Sequence, residues 1–330
     1  MDITKYLDTW AAAYRNDPIE NIMPFWMKFG LDRKHGGIYT CLDRDGKLMD
    51  STKSVWFQGR FGFIASYAYN HIEKKQEWLA ASKSCIDFIE THCTDIDGHL
   101  FFEVTEEGIP LRKRRYVFSE CFAAIAMSEY AIASGDKNYA TKALEMFKRI
   151  LKFLSTPGFL EPKYLPTLQS RGHSITMILI NTASRIREVI EDPVLDRQIN
   201  ESLTSIRQYF MHPEFKALLE MVGPKGELID TCNGRTINPG HCIETSWFIM
   251  EEARHRNWDK DLVQLALQIL DWSWEWGWDK EFGGIINFRD CRNLPAQDYS
   301  QDMKFWWPQT EAIIATLYAY RATHDEKYLV

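Results

Sequence analysis

A histidine and a glutamate lie three residues apart in the segment NPGHCIETSW, which covers residues 238–247. Residues three apart on a helix are neighbours, so a helix through this segment would place His241, Glu244 and Trp247 on one face. A carboxylate one turn away can orient an imidazole and raise its proton affinity, and histidine titrates near neutral pH as an acid/base catalyst must. The spacing therefore indicates a candidate acid/base pair.

The same segment has a second interpretation, as an ordinary helix start. Pro239 and Gly240 would end the preceding loop, and Glu244 could reach back to the first turn as in a capping box. The local pattern does not choose between a cap and an acid/base pair.

Four further segments place polar or ionisable residues among apolar ones at the start of a predicted helix, namely 53–60, 116–123, 172–181 and 304–312. Buried polar groups are costly unless they face a solvated pocket or one another. We therefore expect the segments to line one pocket. Besides His241 and Glu244, the candidate lining residues are Trp56, Gln58, Arg60, Glu120, His173, Asn181, Trp247, Lys304, Trp307, Gln309 and Glu311.

Several of these residues keep two interpretations. Arg60 could bind an oxyanion, with Trp56 and Gln58 behind it, or could form a core ion pair with Glu120. Glu120 could equally be a charge favoured by the dipole at a helix N-terminus. We expect His173 to be structural or to orient a substrate rather than to do chemistry.

The elements that position these residues follow a repeat. Turns containing Gly36, Gly98, Gly158, Gly226 and Gly283 are separated by 62, 60, 68 and 57 residues, and each is followed by a short alternating segment. A near-constant spacing of this length indicates a repeated supersecondary unit.

Two helical patterns lie between successive turns, for example over 54–71 and 77–93, and then over 119–135 and 139–154. The first of each pair is apolar nearly all round and the second is amphipathic, which predicts a buried inner helix and a partly solvated outer one. Units that cannot bury their own apolar faces must stack, and a ring of inner helices buries them all. We predict an all-α protein, an α/α barrel with short β-hairpins between helix pairs.

Five hairpins are visible, and a sixth helix pair has only begun where the sequence ends. We therefore expect one domain over 1–330 whose sixth repeat is incomplete. No stretch rich in Pro, Gly or Ser divides the chain.

Composition narrows the classes of function. The net charge of −7 leaves no basic surplus for nucleic acid. The N-terminus lacks a signal-peptide pattern, and no apolar stretch is long enough for a membrane span, so a cytoplasmic protein is expected. The seven cysteines show no metal or disulfide spacing. Aromatic residues make up 14% of the chain and include twelve tryptophans, which suits sugar binding as well as a wide core.

The sequence resembles the N-acyl-D-glucosamine 2-epimerase superfamily, which includes renin-binding proteins, cellobiose 2-epimerases and isomerases acting on mannose. The resemblance covers the whole chain and is carried by four motifs: WFQGRFGFI at 56–64, HGG followed by LDRDG at 35–46, GRTINPGHCIETSWF at 234–248 and KFWWPQTEA at 304–312. It implies an (α/α)6 barrel with the site in its central mouth.

The resemblance also implies roles for individual residues. His241 would exchange a proton at sugar C2, Glu244 would support it, and Arg60 would bind and polarise the substrate oxygens. Trp307 and Glu311 would belong to the sugar pocket. A second catalytic histidine of the family would lie beyond Val330, which we take to reflect a truncated sequence.

The expected reaction is therefore epimerisation of a ring-opened sugar at C2, with no metal or redox cofactor and with a small-molecule sugar as partner. The segment GRTINPGH favours N-acetyl-D-glucosamine and N-acetyl-D-mannosamine over cellobiose or mannose. A homodimer is possible, and no ATP-binding residues are assigned. The rival classes are an α/α-barrel glycoside hydrolase with paired carboxylates such as Glu120 and Glu244, and a non-catalytic binding protein.

Overall fold

The computed structural model describes residues 2–329, of which 57% are helical and 10% lie in strands. The all-α class with short strands is therefore confirmed. The chain divides into two compact units: unit 1 is Met1–Lys163 with Arg185–Asp192, and unit 2 is Tyr164–Ser184 with Pro193–Val330. A single domain over 1–330 stays a prediction. Among the described residues, none of the helices has the length and apolar character that crossing a membrane requires.

Unit 1 is built from helices joined by short antiparallel strands. Its helices are α1 (Ile3–Asp17), α2 (Met23–Phe25), α3 (Val55–His71), α4 (Gln76–His92), α5 (Phe118–Ser134) and α6 (Lys137–Ser155), with π-helical turns at Pro18–Ile22 and Trp26–Gly30. Its strands are β1 (Cys41–Leu42), β2 (Leu48–Asp50), β3 (Lys53–Ser54), β4 (Phe101–Val104) and β5 (Pro110–Lys113). β1 pairs with β2, and β3, β4 and β5 form one sheet.

The pair α5 and α6 shows the predicted inner and outer character, whereas α3 leaves Phe57, Ile64 and Tyr67 exposed. Helix α5 buries every residue from Ser119 to Ala131, whereas α6 buries one face only, through Tyr139, Ala143, Phe147 and similarly spaced residues. Helix α3 packs against both α4 and α5. Inner helices therefore lie side by side within the unit, each backed by an amphipathic partner.

Two glycines set how closely α3 approaches α5. A Cβ atom added to Gly59 would lie 2.6 Å from the backbone carbonyl carbon of Phe122. A Cβ atom added to Gly62 would lie 3.3 Å from the Ala126 Cβ, which is tight but much closer to ordinary contact. The glycines of the segment GRFG are therefore packing residues, because a side chain at Gly59 would push two buried backbones apart.

Unit 2 repeats the same plan. Its helices are α7 (His173–Arg187, whose last three residues belong to unit 1), α8 (Pro193–Ser205), α9 (Pro239–His255), α10 (Lys260–Gly277) and α11 (Trp306–Thr323), with a π-helical turn at Ile206–Phe210 and a 3-10 turn at Glu326–Leu329. Its strands are β6 (Arg171–Gly172), β7 (Met211–His212), β8 (Ala217–Leu218), β9 (Met221–Val222), β10 (Thr236–Ile237) and β11 (Arg289–Asp290). Helix α9 packs against α10 and α11.

The strands of unit 2 fix the starts of its inner helices. β6 pairs antiparallel with β9, so the residue before α7 is tied to the segment at 221–222. β10 pairs antiparallel with β11, which ties the residues before α9 to the loop at 289–290. Both inner helices therefore begin directly after a strand whose backbone is already hydrogen-bonded.

The five glycines that mark the repeat all have positive φ angles. The values are 84° for Gly36, 83° for Gly98, 75° for Gly158, 87° for Gly226 and 67° for Gly283. Residues other than glycine rarely adopt this backbone conformation, so the turn at each repeat requires glycine.

Two predicted hairpins differ. Residues 223–230 contain no strand of their own, and β9, which precedes them, pairs with β6 instead. Residues 156–164 form turns and bends, and no strand is assigned among these described residues. Pro157 and Pro162 each lack a backbone N–H, which removes donors that a strand ladder would need.

A buried lysine ties the Gly-Gly turn of unit 1 to the start of α3. The Lys53 ammonium donates to Asp32 Oδ2 at 2.7 Å, to the Gly36 carbonyl at 2.8 Å and to the Glu106 carbonyl at 2.8 Å. Burial raises the pKa of Asp32, but hydrogen bonds from Lys53 and from the backbone of His35 outweigh it and hold the pKa at about 2. All three lysine protons therefore have acceptors inside the unit.

Gln58 fastens the same turn from the first turn of α3. Its carbonyl accepts from the Ile38 N–H at 2.8 Å, and its amide donates to the Ile38 carbonyl at 2.7 Å. The side chain is fully buried. It behaves as one residue of a strand paired with Ile38.

Unit 2 contains a second copy of this arrangement. The Gln309 carbonyl accepts from the Ile285 N–H at 2.8 Å, and its amide donates to the Ile285 carbonyl at 2.8 Å. Lys304 pairs with Asp279 at 2.6 Å, but here the two side chains are 31% and 21% exposed. The same Asp, Gly-Gly-Ile, Lys and Gln order thus fixes a turn to an inner helix in both units.

We predict that Gly59→Ala destabilises the protein by about 1–3 kcal/mol, because the new methyl group meets backbone that cannot move alone. Gly62→Ala is the matched control, since its small clash is offset by the gain in helix propensity of about 1 kcal/mol. Urea unfolding followed by circular dichroism measures both variants. Equal stability of the two would contradict the packing role given to Gly59.

We predict that Lys53→Met costs about 3–5 kcal/mol of unfolding free energy, because it leaves the Asp32 carboxylate buried without its partner. Lys304→Met removes the equivalent contact from a half-exposed pair and should cost about 1 kcal/mol or less. Chemical denaturation of the two variants in parallel tests the difference. A cost for Lys304→Met as large as that for Lys53→Met would show that burial does not decide it.

Candidate functional site

The start of α9 tests the capping-box interpretation of NPGHCIETSW. Asn238 is the N-cap, and its side-chain oxygen accepts from the His241 N–H at 3.2 Å. Pro239 is the first helical residue, so Glu244 is the sixth. A capping box needs its carboxylate at the third position. The interpretation of Glu244 as a capping-box residue is therefore wrong, and Asn238 does the capping.

The His241 imidazole lies against a carboxylate that the sequence did not single out. Its Nδ1 atom is 3.0 Å from Glu220 Oε1 and 3.1 Å from Oε2. The two side chains are 29% and 20% exposed. An ionised carboxylate only accepts hydrogen bonds, so Nδ1 carries a proton and Nε2 is the nitrogen left for chemistry.

The backbone of Glu220 is held by the segments that precede two inner helices. Its N–H donates to the Thr236 carbonyl at 3.1 Å, and its carbonyl accepts from the His173 N–H at 3.0 Å. Thr236 lies in β10, directly before the Asn238 cap, and His173 is the first residue of α7. The carboxylate is therefore delivered to His241 from a fixed point between the starts of α7 and α9.

Charge makes His241 unusually basic. Burial lowers its pKa, but the charge and hydrogen bonding of Glu220, followed by the charges of Glu244 and Glu311, outweigh burial and raise the pKa to about 9. In the other direction, burial raises the pKa of Glu220, while His241 and His173 lower it well below its usual range. The Glu220 and His241 side chains thus form an ion pair at neutral pH.

Trp307 covers the His241 ring. The two ring centroids are 5.4 Å apart at an interplanar angle of 40°. A Cβ atom added to Gly240 would lie 2.4 Å from the Trp307 ring, so the residue before the histidine must be small for the indole to sit there. The glycine of PGH and the second tryptophan of WWPQTE are therefore parts of one contact.

Glu311 is joined to the same face of α9. Its Oε2 atom accepts from the Trp247 indole N–H at 2.6 Å, and the Trp247 ring stacks on Tyr318 at an interplanar angle of 12°. Glu311 and Glu244 are both close enough to His241 to raise its pKa. Unit 2 therefore brings together the NPGH and WWPQTE segments, as the lining of a shared pocket requires.

His173 lies behind this group rather than at its surface. The side chain is fully buried, with Nε2 3.1 Å from Thr245 Oγ1 and Nδ1 3.6 Å from Glu220 Oε1. Asn181 is half-buried two turns further along α7. Contact of either residue with a substrate stays a prediction, and the burial of His173 favours an indirect role.

Lys304 and Gln309 are occupied by the turn at 279–285. In unit 1, Gln58 is occupied by Ile38 in the same way. These contacts favour an architectural role for all three residues, and a contact with a sugar stays a prediction.

The remaining candidates lie in unit 1. Trp56 is half-buried among aromatic rings, with the Phe102 centroid 5.2 Å away, and its indole N–H has no hydrogen-bond partner within residues 2–329. The Arg60 guanidinium is exposed and lies 4.2 Å from the Phe122 ring centroid. Whether Arg60 shares a pocket with His241 stays a prediction, because the two belong to different units.

Glu120 is fully buried and forms an ion pair with His99. Its Oε1 atom also accepts from the Leu100 N–H at 2.6 Å. Burial lowers the pKa of His99, but the hydrogen bond and charge of Glu120 raise it above its ordinary value. These contacts favour Glu120 as an anchor for the residue that precedes the β4–β5 hairpin, and its contact with a substrate stays a prediction.

One cluster in unit 1 has metal-ligand composition. The ligand atoms of Asp32, His35 and Glu106 lie within 4.8 Å of one another. The Lys53 ammonium already lies 2.7 Å from the Asp32 carboxylate and supplies positive charge at this point. The ion pair between Lys53 and Asp32 therefore explains why these acidic residues lie together at this turn.

Glu220 is the principal residue that the sequence analysis missed. It stands alone as a charged residue in the apolar run ALLEMV at 217–222. An isolated carboxylate in such a run signals a buried partner. The partner itself could not be identified, because His241 lies 21 residues further along the chain.

Comparison with known proteins places this geometry in a family. The model for N-acylglucosamine 2-epimerase (GlcNAc 2-epimerase) matches residues 37–330. The N-acylglucosamine 2-epimerase of Rattus norvegicus is 31% identical over 98% of this chain and 78% of its own length. The cellobiose 2-epimerase of Ruminococcus albus is 26% identical over 96% of this chain and 83% of its own length.

The fold has a close counterpart among solved structures. The cellobiose 2-epimerase from Bacillus thermoamylovorans B4167 aligns with a TM-score of 0.85 at 22% identity, over 98% of this chain and 84% of that one. This likeness confirms the predicted (α/α)6-barrel fold class. The chain belongs to the N-acylglucosamine 2-epimerase family of carbohydrate epimerases.

Proposed function

We propose that this protein interconverts N-acetyl-D-glucosamine and N-acetyl-D-mannosamine by removing and returning the proton at C2 of the ring-opened sugar. The observation that carries the proposal is the His241 imidazole, whose Nδ1 is held by Glu220 while Glu244 and Glu311 add negative charge around it. This is the environment of an acid/base group, since it fixes one tautomer and sets the proton affinity.

The chemistry needs an open-chain sugar. The C1 carbonyl makes the neighbouring C2–H removable, provided that negative charge developing on O1 is stabilised by a cation or by hydrogen-bond donors. In the proposal Arg60 has this role. Its guanidinium carbon lies 4.2 Å from the Phe122 ring centroid, a cation–π contact that limits the motion of the side chain.

His241 handles one face of C2. At neutral pH it is a cation, with Nδ1–H on Glu220 and a second proton on Nε2. It gives the Nε2 proton to C2 in one direction of the reaction, and its neutral form removes the C2 proton in the other. A second acid/base group on the opposite face of C2 completes the inversion.

The choice of sugar rests on the relatives. The rat protein named N-acylglucosamine 2-epimerase is more similar to this chain than the Ruminococcus albus cellobiose 2-epimerase, at 31% against 26% identity. Cellobiose and mannose are therefore the competing substrates to include in a test. A glycoside hydrolase would instead break a bond between sugar residues, which this reaction leaves intact. The proposal also includes a cytoplasmic location and a homodimeric state.

We predict that the purified protein incorporates deuterium at C2 of N-acetylmannosamine in D2O while forming the epimer, as followed by proton NMR. His241→Asn should lower the exchange rate by about 10²-fold or more, because general acid/base catalysis contributes at least that much. His255→Asn is the control, since His255 is an exposed residue at the far end of the same helix.

Absence of C2 exchange with N-acetylmannosamine, cellobiose and mannose would refute epimerase activity. Exchange with cellobiose alone would keep the epimerase and overturn the choice of sugar. Full activity in His241→Asn would remove that residue from the mechanism.

We predict that kcat/KM falls above about pH 9 in both directions of the reaction. The raised pKa of His241, about 9, means that the singly protonated acid/base pair loses its proton there. The equilibrium constant of the sugars does not depend on pH, so both directions must show the same limb. Measuring kcat/KM from pH 6 to 10 with each epimer tests this. An alkaline limb near pH 6.5 would mean that Glu220 does not raise the pKa of His241 in solution.

A further inference from the structure

We propose that Glu220 is the positioning residue of His241 and that one carboxylate serves two imidazoles, those of His241 and His173. This inference rests on the proposed function, because it assigns the part that Glu220 plays in proton transfer by His241. Glu220 acts through His241 and needs no contact with the sugar.

The side-chain geometry defines what Glu220 does. Both of its carboxylate oxygens lie within 3.1 Å of His241 Nδ1, so the imidazole can pivot little about this contact. A carboxylate cannot donate, so the proton on Nδ1 stays there when Nε2 gains or loses one. Nε2 is thereby assigned as the atom that exchanges a proton with C2.

The backbone of Glu220 makes this placement rigid. Its N–H and its carbonyl are both hydrogen-bonded, to Thr236 and His173 respectively. The preceding Leu219 N–H donates to the Phe210 carbonyl at 3.0 Å. Three consecutive anchoring points leave the carboxylate little freedom to leave His241.

His173 closes the arrangement from behind. Its Nδ1 atom is buried, has no hydrogen-bond partner among the described residues and lies 3.6 Å from Glu220 Oε1. That distance is too long for a hydrogen bond but short for an electrostatic contact. Nε2 lies 3.1 Å from Thr245 Oγ1, and the ring meets the edge of Phe210. His173 therefore turns its Nδ1 atom toward the Glu220 carboxylate, and no other described group forms a hydrogen bond with that atom.

Thr245 links the two imidazoles along α9. Its hydroxyl donates to the His241 carbonyl at 2.8 Å, one turn earlier on the helix, and contacts His173 Nε2 on its other side. His241, Glu220, His173 and Thr245 thus form a closed ring of contacts. Displacing any member moves the carboxylate relative to Nδ1.

The titratable groups around His241 come from α7, α9, α11 and the residues before β9. Glu220 precedes β9, His173 opens α7, Glu244 lies on α9 itself and Glu311 lies on α11. Glu220 acts on His241 by both charge and a hydrogen bond, whereas Glu244 and Glu311 act by charge. Neutralising Glu220 should therefore change the proton affinity of His241 more than neutralising either of the others.

The first test measures the imidazole directly. Histidine side-chain NMR follows the His241 signal, assigned by its loss in His241→Asn, in the wild type and in Glu220→Gln. We expect the pKa of His241 to fall by about one to two units in Glu220→Gln, because an adjacent opposite charge is removed while the side-chain shape is kept. Glu220→Asp keeps the charge and should retain part of the shift.

The matched control is Glu214→Gln. Glu214 lies in the same unit, and its Oε1 atom is 3.0 Å from His212 Nδ1, the same distance as in the Glu220–His241 contact. This variant should leave the pKa of His241 unchanged. An unchanged His241 pKa in Glu220→Gln, or an equal fall in Glu214→Gln, would overturn the proposal.

The second test separates positioning from simple structural support. We expect Glu220→Gln to lower kcat for C2 exchange about tenfold or more, to change KM less than threefold and to move the alkaline limb to lower pH. Glu220→Asp should restore part of kcat. A loss confined to KM, or a loss that Glu220→Asp does not relieve, would contradict the positioning role.

The two tests fail independently. If the wild type exchanges no C2 proton with any of the three sugars, the proposed function is refuted, while the NMR titration still decides whether Glu220 controls His241. Glu220→Gln could fail to fold, which circular dichroism would show, and the titration of Glu220→Asp then replaces it. A His241 pKa in Glu220→Asp equal to that of the wild type would contradict the claim that the distance from the carboxylate to Nδ1 sets this pKa.

Discussion

The ion pair between Glu220 and His241 is the constraint on which the arrangement of unit 2 depends. A carboxylate that is 20% exposed has lost much of its water, and this is costly unless the charge meets a cation and hydrogen-bond donors. His241 supplies the positive charge and the hydrogen-bond donor. The N-cap residue Asn238 fixes the position of His241, because its side-chain oxygen accepts from the His241 backbone N–H. The strand pairings that precede α7 and α9 deliver the two partners from distant parts of the sequence.

The paired hydrogen bonds of Gln58 with Ile38 and of Gln309 with Ile285 give these two polar residues an architectural role at the starts of their helices. Gln58 and Gln309 each replace a strand partner for an isoleucine that follows a Gly-Gly turn, and each is accompanied by a lysine five residues earlier that holds an aspartate. The sequence shows these glutamines beside tryptophans, which is also typical of a sugar pocket. The contacts show that fixing the turn consumes their hydrogen-bonding groups.

How far the sequence could predict the molecule follows from the range of each interaction. The helix pairs were predictable to within a residue or two, as at α3 and α4, because the apolar run of the first helix and the amphipathic pattern of the second are both local signals. The turns at the repeat glycines were predictable because these glycines recur at a regular spacing and each turn needs a positive φ angle. Glu220 was not, because its partner is reached only through pairing of β6 with β9 and of β10 with β11, two-residue strands that leave no pattern in the sequence.

A proton affinity above neutral suits the proposed reaction for a physical reason. A pKa of about 9 makes neutral His241 a stronger base than an ordinary histidine, which favours removal of the proton from C2. The cost is that the neutral form is scarce at pH 7, about one part in a hundred. Only the direction in which His241 acts as the base needs the scarce neutral form. In the other direction His241 acts as the acid, and the prevalent cation already carries the proton for C2. Glu220 therefore sets a compromise between base strength and availability, and the hydrogen bonds of its backbone to Thr236 and His173 hold it in the place where it does so.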